Sequence, residues 1–402
     1  MKEVRNAVVV LMLGLSFLST RAQQGWWLGR LQRPDGEEIV FNFEWKTDSG
    51  RNVWFIKNAA ERMRVDNIQV TGDSVIVQMP FFESQFRLLH RAGKLTGVWI
   101  NRAARTDQVM SFVAAPGSAR FATSSTPPAD VQGKWRLTYA DGNSAPAVAE
   151  LSQSGAVVTG TVLSPAGDYR YLEGVVRNDS LLLSSFDGSN SYLFSASLKE
   201  DTARGIRYSG LSGTRKWTAV KNASAAISGE SVAMRLRPGN DRLHFSFTDM
   251  EGKKVSIADA RFRNKVVLVQ LMGSWCPNCM DETAFLSEYY RNNRQRGVEI
   301  VALAYEYSTD RDRSVKSLQK FRQRFGVEYP ILITGVTVFD SLRTEKTLPE
   351  LTPIKVFPSL VLIDKKGRVR KIDTGFNGPA TGEHYLRYKE EFERTINGLL
   401  NE

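Results

Sequence analysis

The sequence predicts a multidomain chain: two all-β modules, sandwich- or barrel-like, followed by an α/β domain. Three observations carry that prediction. Short alternating, aromatic-rich runs separated by turn residues fill residues 23 to about 222. The run pattern of the first half of that stretch recurs in the second. From about residue 241, apolar strand-like runs alternate with helical segments.

Residues 1–22 read as a secretory signal peptide. Lys2 and Arg5 give a basic start, and Ala7 to Leu18 is an uncharged apolar run. Thr20 and Ala22 supply small residues for cleavage before Gln23. A membrane anchor is the competing reading, but twelve residues in a helix reach only ~18 Å against a ~30 Å hydrocarbon core. No cysteine sits near the cut to take a lipid, and no other run is long enough to span a bilayer. Export to the periplasm or cell envelope is the expectation. Cleavage removes Lys2, Arg5, Arg21 and Glu3, which lowers the formal charge of +11 by two. The remaining basic residues are scattered without a dense tract, so nucleic acid is not an expected partner. With 402 residues, the prior is two or three domains. Two cysteines exclude a disulfide-stapled scaffold, and three histidines leave little for a structural zinc site.

Module one spans 23–118. Its strand-like runs include Ile39–Trp45, Ser74–Met79 and Leu95–Ile100, with turns at Pro34-Asp35-Gly36, Thr71-Gly72-Asp73 and Ala92-Gly93. Residues 119–129 are small and Pro/Ser-rich and read as a linker. Module two spans 130–222 and repeats the pattern. Gly25-Trp26-Trp27 resembles Gly133-Lys134-Trp135, Asp73-Ser74 resembles Asp179-Ser180, and Gly97 resembles Gly205. Trp27 to Ser74 and Trp135 to Ser180 are 47 and 45 residues apart; Ser74 to Gly97 and Ser180 to Gly205 are 23 and 25. Two related modules in tandem fit these offsets. The Gly72-Asp73-Ser74 triplet is read as a turn signature, not as a serine nucleophile. The many tryptophans are read mainly as core. Residues 223–240 read as a second polar connector.

The α/β domain, 241–402, opens its alternating part with Val266–Met272. A helix follows to about Arg296 and stops at Gly297. Then come strand 298–305, a helix over Ser314 to Phe325, an apolar run at 329–333 and strand Phe357–Asp364. A hairpin through Lys366-Gly367 and a last helix over Glu383 to Leu400 complete it.

Both cysteines lie in one Cys276-Pro277-Asn278-Cys279 motif, between a buried-looking strand and a helix. The i, i+3 spacing puts both sulfurs on one helix face. Cys276 would sit at the helix N-terminus, where unpaired N–H groups and the dipole favour a thiolate. Cys279, one turn on, can resolve a mixed disulfide. An inert bridge is the competing reading, but so short a loop gains little from closure. A metal site would need two more ligands, and His90, His244 and His384 are scattered. No cofactor or metal is expected.

With Gly273-Ser274-Trp275-Cys276-Pro277-Asn278-Cys279-x-x-Glu282, and Phe357-Pro358-Ser359 leading into Leu360-Val361-Leu362-Ile363-Asp364-Lys365-Lys366-Gly367, the chain resembles the TlpA/ResA-like branch of thioredoxin-fold thiol:disulfide oxidoreductases, with an AhpC/TSA-redoxin-type C-terminal domain. The resemblance covers about 160 residues, 241–402, and implies a thioredoxin-like fold there. It implies that Cys276 and Cys279 form the redox disulfide. It also implies that Pro358 is cis and faces that disulfide; Pro353, the competing proline, lacks a strand directly after it. Thioredoxins proper carry a buried aspartate where this chain has Gln270, which cannot act as a base. The TlpA/ResA-like pattern instead implies an acid at Glu282, able to shuttle a proton beside Cys279. The alternative for Asp281 and Glu282 is a plain complement to the helix dipole. Trp275 either covers the sulfurs and shapes a partner groove or packs as an ordinary indole. The Gly-rich loop 374–385 lacks the Lys-Ser/Thr of a phosphate cradle, and His384 reads as a helix-start residue.

The functional expectation is an exported reductase of envelope protein disulfides with its nucleophilic sulfur open at the mouth of the fold. The Pro-Asn dipeptide, lacking histidine, points to a potential below about −200 mV. Protein substrates and a membrane electron donor are the expected partners. The resemblance suggests cytochrome c maturation or general disulfide reduction. The rivals are a disulfide oxidase or isomerase, and a redox-sensing binding protein whose β modules recognise an envelope partner.

Overall fold

The computed structural model describes residues 24–80, 82–102, 106–123, 129–142 and 144–402. The expected signal peptide, 1–22, lies outside the described residues.

Each β module has nine strands, and in each the first strand lies between the second and the ninth. In the first, from Gly25–Gln32 to Gln108–Pro116, all neighbours are antiparallel, and two runs of sequential hairpins meet where the first strand pairs with the ninth. Alternation turns Trp27, Phe41, Phe43 and Trp54 inward, where Phe43 stacks on Trp54 with ring centroids 4.1 Å apart. In the second module the strands run from Gly133–Tyr139 to Gly213–Lys221, and Ala147–Ser154 pairs with both Gly133–Tyr139 and Val157–Ser164, closing the sheet into a barrel. A two-residue strand, Gly167–Asp168, hangs on the edge of Val157–Ser164.

The residues that suggest a repeat fall at equivalent places. Trp27 and Trp135 lie in first strands, Ser74 and Ser180 begin sixth strands, and Gly97 and Gly205 lie in eighth strands. Both glycines are needed for close approach: a Cβ would run into the carbonyl of Arg87 at Gly97 and of Ser195 at Gly205. Trp27, Trp45, Trp54 and Trp99 are fully buried, and Trp135 and Trp217 nearly so.

The C-terminal region is an α/β domain around a seven-stranded sheet. Val266–Met272 is central, parallel to Val298–Ala304 and antiparallel to Ser359–Ile363. All seven of its residues are buried, as a strand covered on both faces requires. Helices Pro277–Asn293, Arg311–Phe325 and Glu383–Asn401 pack on this sheet. Asp310 caps the second of these by accepting from the Asp312 and Arg313 N–H groups. Among the described residues, no helix is long and apolar enough to cross a membrane.

The stretches read as linkers differ from free connectors. In 119–129, Arg120 is buried between the β modules and donates to Asn42 Oδ1 and Ser184 O at 3.1 and 3.0 Å. In 223–240, Met234 and Leu236 pack on the α/β core, and Arg237 N–H donates to Glu350 O at 2.7 Å. Small polar composition marks these residues as loops, but composition is silent on what a loop lies against.

Candidate dithiol active site

The central strand ends at Gly273, where a Cβ would collide with the Trp275 indole. The following turn is clamped from the neighbouring strand: Ser274 N–H and Oγ donate to the Glu306 carboxylate at 2.8 and 2.7 Å. Trp275 Nε1 donates to Tyr305 O at 2.9 Å, and its indole stacks on Tyr307 at 4.8 Å. Cys276 then caps the helix Pro277–Asn293. Its Sγ accepts from Cys279 N–H at 3.2 Å and lies 3.5 Å from Phe357 O. The Phe357–Pro358 peptide is cis, directly ahead of strand Ser359–Ile363, and Pro358 O accepts from Gly375 N–H at 2.9 Å. The structure therefore brings Cys276, Cys279, Trp275 and Pro358 to one end of the sheet.

Behind the cysteines lies a buried polar group. Glu282 is 1% exposed and accepts from Gln270 Nε2 at 2.8 Å. Burial pushes its carboxyl up to about 8. Burial likewise holds the Cys279 thiol well above its ordinary value, and the Cys276 sulfur and Glu282 charge act in the same direction. Gln270, which cannot itself serve as a base, instead orients Glu282, and its Oε1 accepts from the Thr283 and Tyr329 hydroxyls. Glu282 is thus no surface complement to the helix dipole. Asp281 is not one either: it is largely enclosed, 3.2 Å from Arg170 of the second β module, and burial raises it to about 7.

One expectation is overturned. The sequence reading puts Cys276 open at the mouth of the fold; in the structure it is 4% exposed. The cause is the second β module. Its Ser164–Tyr171 segment lies across the motif, and Asn278, with its amide oriented to satisfy both groups, accepts from Asp168 N–H at 2.9 Å and donates to Asp168 O at 3.0 Å. A cavity of about 230 Å³ remains, reaching Cys276, Pro277, Asn278 and Phe357. Trp275 does not line it; the indole borders two adjacent clefts.

Sequence reasoning missed Glu306, Asp168, Arg170 and Glu61. Glu306 had a faint signal, an acid directly after an apolar strand. The others had none, because they lie at or beside strand ends whose neighbours are fixed only by domain packing. His384 lies in the first turn of the last helix and pairs with Glu150 at 2.9 Å. Among the described residues, no group of three His, Cys, Asp or Glu could hold a metal ion.

A dithiol at a helix start, opposite a cis proline and backed by a buried acid, is the arrangement of a thioredoxin-fold thiol:disulfide oxidoreductase. The redoxin family model matches residues 237–385. Thiol-disulfide oxidoreductase ResA of Geobacillus kaustophilus is 31% identical over 161 residues, 40% of this chain and 77% of that protein. ResA of Geobacillus thermodenitrificans is 31% identical over 137 residues, 34% of this chain and 69% of that protein. The chain belongs to the family of ResA-like thiol-disulfide oxidoreductases. Among solved structures, a thiol:disulfide interchange protein of the thioredoxin family from Chlorobium tepidum is 20% identical, with 41% of this chain and 99% of that one covered and a TM-score of 0.30. As a thiol:disulfide oxidoreductase, the protein acts on thiols and disulfides of protein substrates.

Proposed function

We propose that this protein is an exported reductase of disulfides in envelope proteins, with Cys276 as the attacking sulfur. The Cys276 thiolate attacks a substrate disulfide, forms a mixed disulfide and releases one substrate thiolate. Cys279 passes its proton to the Glu282 carboxylate and attacks the Cys276 sulfur. That closes the Cys276–Cys279 disulfide and releases the second substrate thiolate, so two electrons move from the dithiol to the substrate. Pro358 seats the substrate chain beside Cys276, and Trp275 holds the turn that presents the sulfur. A membrane dithiol donor returns the electrons, and cytochrome c maturation is one process such a reductase serves.

The observation that carries this reading is the pairing of a fully buried Cys279, whose thiol is held protonated, with a buried Glu282 raised to about 8. A carboxyl near that value can take the proton when Cys279 attacks and give it back when the disulfide is reduced. Cys279→Ser should accumulate mixed disulfides between Cys276 and client proteins in cells, visible on non-reducing gels. Absence of adducts would reverse the assigned order of the thiols. An equilibrium titration should place the couple below about −200 mV; a value near that of strong oxidants would make the protein an oxidase.

A further inference from the structure

The redox end of the α/β domain is walled by the other two units. From the second module, Asp168 Oδ2 accepts from Gly378 N–H at 2.7 Å, and Gly167 forms a parallel bridge with Phe376. Together with the paired bonds between Asn278 and Asp168, this lays the Ser164–Tyr171 segment along the motif as an added strand would lie. Arg170 ties the three units together. It donates to Pro277 O at 3.3 Å and pairs with Asp281 of the α/β domain and Glu61 of the first module. Its backbone is left-handed, with φ of 55°, an arrangement that persists only where surroundings impose it. Gly167, with φ of 136°, has no room for a side chain: a Cβ there would fall inside the Asn278 carboxamide.

What remains above Cys276 is the cavity of about 230 Å³, walled by Asn58 and Glu61 of the first module and Tyr169, Arg170 and Tyr192 of the second. With Cys276 only 4% exposed beneath these walls, the surface of a folded protein cannot come up to its sulfur.

We infer that the Ser164–Tyr171 segment is a substrate filter: it admits to Cys276 a disulfide with slender, unbranched flanks and turns away a disulfide set in a folded surface. The inference rests on the proposed role of Cys276 and narrows its substrate class. Slender flanks belong either to a small disulfide or to a cystine on an extended polypeptide. The exchange itself is unchanged: two electrons pass from the dithiol, the substrate bond breaks, and the Cys276–Cys279 bond forms.

The test uses the full chain, reduced, freed of reductant and mixed with excess disulfide, with oxidation of the dithiol followed in a single turnover. The probes are hydroxyethyl disulfide, an unstructured decapeptide whose one cysteine is disulfide-bonded to mercaptoethanol, and native insulin. Each rate is divided by that of dithiothreitol with the same probe. Hydroxyethyl disulfide is expected to react at least 10-fold faster than insulin on this scale. A fast peptide assigns the filter to extended chains as well, and a slow one confines it to small disulfides. In Gly167→Ala and Arg170→Met, checked for an intact thermal transition, the ratio of insulin to hydroxyethyl disulfide rates should rise at least 5-fold. Equal rates on both probes in the wild type, or an unchanged ratio in both folded variants, overturns the filter alone. No reaction of any form with any probe overturns the redox reading beneath it.

Discussion

The second β module makes two contacts of opposite character. Toward the first module it sends Phe186 into the neighbouring core, stacked on Phe41 at 4.3 Å and edge-on to Trp99 at 5.6 Å. The backbone around that ring is satisfied across the joint: Asn58 Nδ2 donates to Phe186 O at 2.9 Å, and Phe186 N–H donates to Asn58 Oδ1 at 3.2 Å. Toward the α/β domain the same module offers charges, backbone bonds and an open cavity. The first module meets that domain partly in this way, through Arg313 and Ser317 on Glu83 at 3.0 and 2.6 Å, and partly through apolar side chains that share one buried cluster with it. Burial of an aromatic ring has no substitute in water, whereas a buried ion pair repays little beyond its own desolvation. The β modules therefore hold each other more firmly than the second of them holds the α/β domain.

The largest effect should come from the apolar joint. Phe186→Ala removes a fully buried ring that the first module cannot collapse around, at a cost of about 4 kcal/mol. Denaturant melting should show this as a lower midpoint. A change under about 1 kcal/mol would mean that the modules hold each other by other contacts, and the contrast between the joints would fail.

Arg170→Met should cost less, about 2 kcal/mol. Removing one partner of a buried pair is usually dearer, but the acid left behind can escape by protonation. Asp281 already stands near 7 with Arg170 in place, and without it would rise further. The same variant should speed alkylation of Cys276 by a bulky maleimide several-fold, since the sulfur is now 4% exposed beneath that segment. Slower or unchanged alkylation in a folded variant would place the seal elsewhere.

These joints were the least legible part of the chain. Alternation in Leu181–Phe186 says which side chains face a core, but not whose core. Phe186 falls on the face opposite Leu181 and Leu183 and fills the core of its neighbour. Asp168 ends a two-residue strand and Arg170 follows just after it, a stretch with no sequence mark to set it apart. The repeat was visible because its constraints are local: turns before sixth strands, and glycines in eighth strands where backbones crowd. The dithiol, the cis proline and Glu282 were visible as candidates because each lies within a short, ordered run of residue types. Glu282 shows the limit of such reading. Its spacing from Cys279 was evident, but its burial and its Gln270 partner follow from the sheet behind it.

The resolving step offers a finer test. In Glu282→Gln the carboxyl that accepts the Cys279 proton is gone, while the Gln270 contact can be kept by the amide. Closure of the mixed disulfide should slow by roughly 10²-fold. In the wild type that step should accelerate with pH through about 8, where half of the Glu282 carboxyls are free to accept a proton. A rate that rises with pH in the same way in the variant would assign the proton to another acceptor.

The smallest effect separates the joints by pH. Asp281 and Glu306 are raised to about 7 and Glu282 to about 8, from ordinary values of 3.8 and 4.5. Each folded carboxyl holds a proton that the unfolded chain has lost. Their contribution is therefore whole below about pH 4 and drains away as pH climbs to about 8. At the apolar joint the buried Arg120 is pushed down only to about 10, and Asp187, raised by burial, is held within its own loop by the Ser189 and Asn190 N–H groups. The melting temperature should thus fall between pH 5.5 and pH 8.5, and less steeply in Glu282→Gln, whose amide does not titrate. Access to Cys276 should move the opposite way to stability, because the closed joint keeps a proton on Asp281 that the opened, solvated joint loses. Hydrogen exchange of the Ser164–Tyr171 amides should then slow, after correction for intrinsic rates, as pH drops from 8 to 6, while amides flanking Phe186 change less. Equal slowing at both places would show that the two joints open as one.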